Sequence, residues 1–429
     1  MSTYRAPRGT RDLLPDDRAV FDRLGRTAAD LTARYGYRPI ETPLFEQAAV
    51  FERGIGEATD VVEKELFRIT PRNEEAEAWA LRPEPTAGIV RAYVQHGMQT
   101  WPQPVKLTTT GPMFRYDRPQ AGRYRQFWQF DVEAIGDAGP AIDAEIIELG
   151  HRFYAEVGVA GVEVLVNSIG DPACRPAYIA ELTAFYRGHA ADLPPTELDR
   201  LERNALRLLD SKDPAMADLN ARAPRITDHL CDACAAHFEA VKAHLDALGV
   251  PFRVEPGLVR GLDYYTRTAF EFYVGGREGQ QQALGGGGRY DGLVALLGGK
   301  PTPGIGFGLG LDRVALVLAE QGSGTGHAEA GPLAVVVGAD PDDTISRLRV
   351  ATELRAARLR VRADLGRRKL GRQLEAAGKD GAHFAVILGD ELENGQVGLR
   401  DLLAGTQRLV AVGDLARELA RAEAGHKHG

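Results

Sequence analysis

Four arginines, Arg115, Arg118, Arg123 and Arg125, crowd into the stretch LTTTGPMFRYDRPQAGRYRQFWQFDVEAIG around a turn containing Pro119 and Gly122. Guanidinium groups gathered in this way suit forked recognition of phosphate or carboxylate. In the strand that follows, Gln126, Trp128, Phe130, Val132 and Ala134 share one face, and Phe127, Gln129, Asp131, Glu133 and Ile135 share the other. The first face is a core. On the second, Gln129 to Glu133 would lay polar groups along roughly 13 Å of strand. Alone, that pattern reads as a solvated sheet face; beside the arginines it becomes a surface able to take a cationic or N–H bearing group next to an anion.

Two later segments carry the same kind of chemistry. VRGLDYYTRTAFEFYV alternates from Leu262 onward, with Leu262, Tyr264, Thr266, Thr268, Phe270 and Phe272 on one face and Asp263, Tyr265, Arg267, Ala269, Glu271 and Tyr273 on the other, which predicts a strand. Gly261 lets the chain turn just before it and leaves Arg260 on its lip. In LGGGGRYDGLVALLGGKPTPGIGFGLGLDRVALVLAE the glycines at 304, 306, 308 and 310 make one strand face almost bare backbone, with room for a flat ring. A helix from near Leu311 carries Arg313 in its first turn. GxGxxG spacing opening the helix is absent, as is a GK[ST] loop, so arginines would have to hold the phosphates of a bound nucleotide.

The elements that must position these groups are legible in outline. Apolar residues Val20, Phe21, Leu24, Ala28 and Leu31 recur at helical spacing between Asp16 and Tyr35, after a PDD opening. YGYRPIETPLFE reads as a turn and a short edge strand broken by Pro43. Residues 105–136 read as two strands joined by a long polar loop, and 171–250 as mainly helical. A small polar linker, EQGSGTGHAEAG, precedes a strand–helix–strand–helix–strand pattern from Leu333, a small α/β domain. No repeat of fixed period is present.

Bulk properties exclude several classes. A chain of 429 residues, 44% hydrophobic and 26% charged, has apolar material for two or three cores. It lacks a run of about 18 apolar residues for a membrane span, and its first residues lack the apolar middle of a signal peptide; a cytoplasmic protein is expected. Three cysteines cannot make a disulfide framework. With a net charge of −8, any nucleic acid must be bound by a local basic patch.

The ordered set RGTRDLLP, LRPEPTAGIVRAY, GPMFRYDRPQAGRYRQFWQFDVEAIG, VRGLDYYTRTAFEF, GGGGRYDGL and GIGFGLGLDRV resembles the histidyl-tRNA synthetases, class II aminoacyl-tRNA synthetases, over nearly the whole chain. The resemblance implies an α+β fold: an antiparallel sheet flanked by helices, a helical insertion and a C-terminal α/β anticodon-binding domain. It divides the chain into a catalytic domain (1–170 and 251–320), an insertion (171–250) that clamps the tRNA acceptor arm, a linker (321–331) and an anticodon-binding domain (332–429). It further implies a homodimer, L-histidine, ATP and tRNA(His) as ligands, Mg2+ arriving with ATP, and no membrane.

Roles carry over from the resemblance residue by residue. Arg115 is similar to the arginine that grips the ATP α-phosphate, and Arg123 and Arg313 to the pair at the γ-phosphate. Arg260 matches the arginine that binds the substrate carboxylate and α-phosphate, so Arg260, Arg115 and Arg313 form the implied catalytic set. Glu84 and Thr86 resemble the pair on the histidine α-amino group, with Gln129 assisting. Glu133 and Tyr265 resemble the imidazole readers, and Tyr264 and Tyr290 complete the pocket. For tRNA, Arg118, Gln120 and Arg123 face the acceptor end, and Arg367, Arg368, Lys369 and Arg372, in a helical charge run, are the anticodon candidates.

Three features bear on these expectations. Pro85 stands where relatives often have glycine and removes a backbone N–H, so amino-group recognition there rests on side chains. His229, Cys231, Cys234 and His237 in HLCDACAAHF could be written as a zinc set. A helix instead packs both cysteines inward beside Phe238, and no metal is expected. A histidine-sensing regulatory paralogue of ATP phosphoribosyltransferase is the alternative reading, but such proteins usually lack the anticodon domain and erode the RGLDYY and phosphate-holding arginines.

Overall fold

The computed structural model describes residues 4–56, 59, 61–70, 77–209, 211, 213–259, 264–275, 283–323 and 331–426. The chain divides into two compact units, 1–14 with 20–325, and 326–429 with 15–19. Strands of the first unit are β1 (Arg38–Pro39), β2 (Phe45–Gln47), β3 (Arg68–Ile69), β4 (Trp79–Leu81), β5 (Val105–Phe114), β6 (Gln126–Ile135), β7 (Val162–Ser168), β8 (Phe252–Val254), β9 (Thr266–Val274), β10 (Ala283–Arg289) and β11 (Gly304–Gly310). One sheet has the order β1-β5-β6-β11-β10-β9-β7-β8, and β2, β4 and β3 form a second, small one. Only the outer pairs β1/β5 and β7/β8 of the large sheet are parallel; its interior is antiparallel.

The hairpin predicted over 105–136 forms, with β5 and β6 in continuous register from Val105 opposite Ile135 to Phe114 opposite Gln126. Phe130, Val132 and Ala134 lie on the core face as their alternation requires, with Phe270, Phe272, Ile305, Phe307 and Leu309 from neighbouring strands. The helices Pro15–Arg34, Pro140–Val157, Asp232–Ala247 and Leu311–Glu320 supply the other side of this core. Each fully buried Phe, Leu or Ile here stabilises the fold by about 1.5–3 kcal/mol. Gly150, in mid-helix, is explained by the same packing, because a Cβ there would lie 2.4 Å from the Phe272 ring.

The opposite sheet face is not solvated. Helices Ala48–Ile55 and Thr86–Gln95 cover it and bury Phe51, Ile55, Ile89, Val90 and Tyr93 against Tyr264, Tyr265 and Tyr290. Asp131 and Glu133 are therefore buried, each 1% exposed, where alternation alone suggests a wet surface. That burial makes the face chemically interesting, since a carboxyl out of water must be paired or neutral.

The helical region 171–250 contains two structures. Tyr178, Leu182, Tyr186, Leu201, Leu208, Met216, Leu219 and Ile226 make a separate small core, whereas Phe238, Val241 and Leu245 of the helix Asp232–Ala247 belong to the core of the large sheet.

The alternation of VRGLDYYTRTAFEFYV predicts a strand from Leu262; residues 260–263, with Arg260, Gly261 and Leu262, lie outside the described residues, and β9 spans Thr266–Val274. The strand opens on a bulge: Gly288 lies opposite Ala269 and Arg289 opposite Thr266, and Arg267 between them has φ 51, in the left-handed region. Tyr264 and Tyr265 precede the strand, and their rings are 4.6 Å apart.

In the second unit β12 (Ala334–Gly338), β13 (Val361–Ala363), β14 (Phe384–Leu388), β15 (Gln396–Asp401) and β16 (Gln407–Ala411) form a sheet of order β13-β12-β14-β15-β16. The first three strands are parallel, as the strand–helix alternation predicts, and the last two pair antiparallel. The helix after β13 spans Leu370–Lys379, so Arg367, Arg368 and Lys369 lie ahead of it and not in it.

Candidate active site

Glu133 anchors the acidic end of the site. Its Oε1 accepts a 2.5 Å hydrogen bond from Thr86 Oγ1 and its Oε2 another of 2.5 Å from Tyr290 OH. Tyr264 lies edge-on to Tyr290 at 6.0 Å. Glu84 accepts from the first amides of the helix Thr86–Gln95, Thr86 N at 2.7 Å and Ala87 N at 3.0 Å. It thus caps the helix from outside, and Pro85 occupies the N-cap position. There its missing N–H leaves the two amides bound by Glu84 unaffected.

The glycines of β10 and β11 make room for these side chains. A Cβ on Gly306 would fall 1.8 Å from Glu133 Oε2, one on Gly304 2.2 Å from the Tyr290 ring, and one on Gly288 2.9 Å from the Tyr265 ring. At Gly308 the obstacles are Asp131 Oδ1 and Gln129 Nε2, both 2.5 Å away. At three of the four alternating glycines, 304, 306 and 308, the bare face expected for a ring ligand is therefore filled by carboxylates and a phenol of the protein itself.

Asp131 is the residue that sequence reasoning passes over. It lies between Gln129 and Glu133 on the same strand face, and its Oδ2, like Gln129 Oε1, is buried without a hydrogen-bond partner. Burial, then the charges of Glu133 and Glu84, push its carboxyl well above the usual range, with Arg82 and Arg115 pulling the other way. Arg82 is itself buried and fixed by Pro112 O at 3.0 Å and Thr42 O at 2.9 Å. Two orphaned acceptors side by side are suited to an ammonium or N–H donor.

Glu133 has a titration consequence. Burial raises its carboxyl to about 8 from 4.5, against the hydrogen bonds from Thr86 and Tyr290 and with help from Glu84. The folded protein then holds a proton that the unfolded chain releases. Stability from this group is full below about pH 4.5, declines as pH rises toward 8, and is level above that. Glu133→Gln, which cannot ionise, should therefore melt increasingly higher than the parent as pH rises from about 5 to 8, by a few kcal/mol at the plateau. Thermal melts of both proteins across that range check it; parallel curves would contradict the assigned burial.

The basic end is a cleft of about 710 Å³ lined by Arg115, Arg123, Arg313, Gln129, Glu271 and the glycines 285, 286, 308 and 310, among others. Arg115 donates its Nε to Pro83 O at 2.9 Å and lies over the Phe127 ring. Arg123 faces Asp117 Oδ2 at 3.3 Å, and Arg313 donates to Ala283 O. Burial lowers the Arg313 pKa first, and the positive charges of Arg123 and Arg115 lower it further, with Glu271 opposing them. Three cations that repel one another around one open cleft are arranged for an anion. Arg115 and Arg123 of the hairpin and Arg313 of the helix Leu311–Glu320 line one cleft; Arg260, from a third segment, lies outside the described residues.

The remaining predicted residues are more dispersed. Arg118 and Gln120 are exposed on the hairpin loop, whose turn is closed by Gln120 N–H to Arg123 O at 3.2 Å and its 2.9 Å return bond. Arg367 faces Asp342 at 3.2 Å, Arg368 faces Asp364 at 2.6 Å and Arg372 faces Glu375 at 3.3 Å; Lys369 is exposed at the cap of its helix.

An antiparallel sheet whose β5/β6 hairpin ends in arginines, with a further arginine on the helix after its glycine-rich strand, is the catalytic architecture of a class II aminoacyl-tRNA synthetase. A profile of the histidyl-tRNA synthetase family matches residues 9–314, and one of the anticodon binding domain matches 333–422. The Histidine--tRNA ligase of Moorella thermoacetica is 48% identical over 417 residues, 96% of this chain and 98% of that protein. That of Mycolicibacterium vanbaalenii is 45% identical over 98% of this chain and 99% of its own. The crystal structure of apo S. aureus histidyl-tRNA synthetase superposes with a TM-score of 0.81 at 33% identity, covering 97% of this chain and 100% of that one. The chain belongs to the histidyl-tRNA synthetase family.

Proposed function

We propose that this protein charges tRNA(His) with L-histidine in two ATP-dependent steps. In the first, a carboxylate oxygen of histidine attacks the ATP α-phosphorus, the bond to the β-phosphate breaks, and pyrophosphate leaves. In the second, a hydroxyl of the terminal tRNA ribose attacks the carbonyl carbon of histidyl-adenylate and AMP leaves. The observation that carries this reading is Glu133, fixed by Thr86 and Tyr290 beside an arginine-lined cleft. Buried and rigid, it offers an acceptor to an imidazole N–H, which apolar side chains could not satisfy.

In this proposal Arg115 and Arg260 hold the α-phosphate and the substrate carboxylate, where charge accumulates in the transition state. Arg123 and Arg313 hold the outer phosphates. The orphaned Gln129 Oε1 and Asp131 Oδ2 take the α-amino group, with Glu84 and Thr86 nearby. Tyr264, Tyr265 and Tyr290 wall the ring. Mg2+ enters as the ATP complex, and Glu271, a carboxylate lining the cleft, fits that hard cation.

The same reading assigns 1–170 and 251–320 to catalysis, 171–250 to the acceptor arm, 321–331 to a linker and 332–429 to the anticodon, in a cytoplasmic homodimer. Arg118, Gln120 and Arg123 meet the acceptor end, and Arg367, Arg368, Lys369 and Arg372 the anticodon stem. Among the described residues no helix is long and apolar enough to cross a membrane.

ATP–pyrophosphate exchange, run with histidine and with each other amino acid, tests the function. Exchange is expected with histidine alone, followed by charging of tRNA(His). Histidine binding without exchange would instead support a sensing paralogue.

A further inference from the structure

Both histidines of HLCDACAAHF are engaged elsewhere. His237 Nε2 lies 2.8 Å from Asp143 Oδ2 in a buried network with Arg289 and Thr268, and His229 Nδ1 lies 3.4 Å from Glu181. The cysteines behave differently. All three in the chain, Cys174, Cys231 and Cys234, come together with Asp171, so that one ligand atom from each of the four lies within 4.8 Å of the others.

We propose that Asp171, Cys174, Cys231 and Cys234 form a structural zinc site that clasps the two ends of the helical insertion and braces the strand bulge behind Tyr265. The ligands come in two pairs of x2 spacing. Asp171 and Cys174 sit in the turn between β7 and the helix Arg175–Gly188, and Cys231 caps the helix Asp232–Ala247 that carries Cys234. Such pairs are the usual zinc spacing, and a tetrahedral ion with Zn–S of about 2.3 Å places its ligand atoms about 3.8 Å apart. The observed spread needs only a slight contraction. Three thiols and a carboxylate select zinc over the hard cations, and four protein ligands close the site to water, which makes it structural.

The surroundings fit a bound cation with a residual negative shell. Asp171 accepts from Ala173 N at 2.9 Å and from Arg267 Nη2 at 3.3 Å, and its own N–H points at Cys174 Sγ, 3.4 Å away. Gly170 has φ +64, and a Cβ there would lie 2.8 Å from Cys174 Sγ, so the turn wraps the sulfur closely. Zinc with three thiolates and a carboxylate carries two excess negative charges, and Arg267 and Arg175 stand alongside.

That turn is also the scaffold of the bulge. Arg267 N donates to Gly170 O and Ile169 N to Arg267 O, both at 2.7 Å. Arg175 donates to Ile169 O, to Gly170 O and, at 2.6 Å, to Tyr265 O. Left-handed backbone at a non-glycine residue is costly and persists only where its surroundings hold it. A metal fixing the turn to the helix Asp232–Ala247 supplies that hold and thereby sets the position of Tyr265 in the acidic pocket.

The full chain, purified under reducing conditions without chelator, should carry about one zinc per chain by inductively coupled plasma mass spectrometry. Stripped protein reloaded with Co2+ should show tetrahedral d–d bands and thiolate charge transfer. Cys234→Ser should lower zinc occupancy about ten-fold or more, and metal removal should lower the melting temperature of the parent but not of that variant. Zinc removal should also raise KM for histidine more than KM for ATP. The cobalt spectrum uses the parent protein, so misfolding of the variant leaves the test intact. A disulfide among these cysteines, or three free thiols with neither zinc nor cobalt bound at micromolar metal, would overturn the site while leaving the synthetase reading untouched.

Discussion

Arg115→Ala is expected to slow histidine-dependent ATP–pyrophosphate exchange by about 10²–10³-fold, chiefly in kcat. The side chain is half-buried at the cleft, pinned through Nε to Pro83 O and stacked over Phe127, so its remaining N–H groups are aimed before substrate arrives. Attack of one anion on another concentrates charge on the α-phosphoryl oxygens, and an already oriented cation stabilises that charge without reorganisation. ATP binding should suffer less than kcat. Arg123 and Arg313 remain, and Arg313 loses part of the repulsion that now depresses its pKa. Arg115→Lys should recover only part of the rate, because a point charge lacks the planar fork. Single-turnover adenylate formation measured alongside exchange would isolate the chemical step. Unchanged rates in Arg115→Ala would remove this arginine from the α-phosphate.

How much of this was legible in the residues depended on the range of the determining contacts. The β5/β6 hairpin and the helix Pro15–Arg34 are fixed by local alternation and spacing, and both formed where the pattern placed them. The burial of Asp131 and Glu133 was not legible locally, because it depends on helices contributed by 48–55 and 86–95, which cover that face from another part of the chain. The alternating glycines were a true signal with a different meaning: they yield space to Glu133, Asp131 and Tyr290 from neighbouring strands as well as flooring the cleft. Within VRGLDYYTRTAFEFYV the period of two is broken at Arg267, where a bulge interrupts the ladder, a feature no local pattern announces. The cysteine cluster could not be read from HLCDACAAHF, because half of its ligands, Asp171 and Cys174, lie at the start of the insertion and only the fold unites them.

Removing the acceptor in the acidic pocket should have the larger effect. Glu133→Leu is expected to cut kcat/KM for histidine by about 10⁴-fold, the size seen when a pocket built to hydrogen-bond a substrate group loses that bond. KM for ATP should hold, because the arginines of the cleft are untouched. Glu133→Gln keeps the shape and one acceptor oxygen. That single oxygen must serve Thr86, Tyr290 and the imidazole where the carboxyl offered two, so the fall should be about 10–100-fold. The order Glu, then Gln, then Leu is the diagnostic outcome. A steric or purely structural role would spare the isosteric Gln and penalise folding, yet burial of the ionised carboxyl makes both variants expected to melt no lower than the parent above pH 8. Equal kcat/KM for histidine in all three proteins would remove the imidazole from this end of the pocket and with it the basis for histidine specificity.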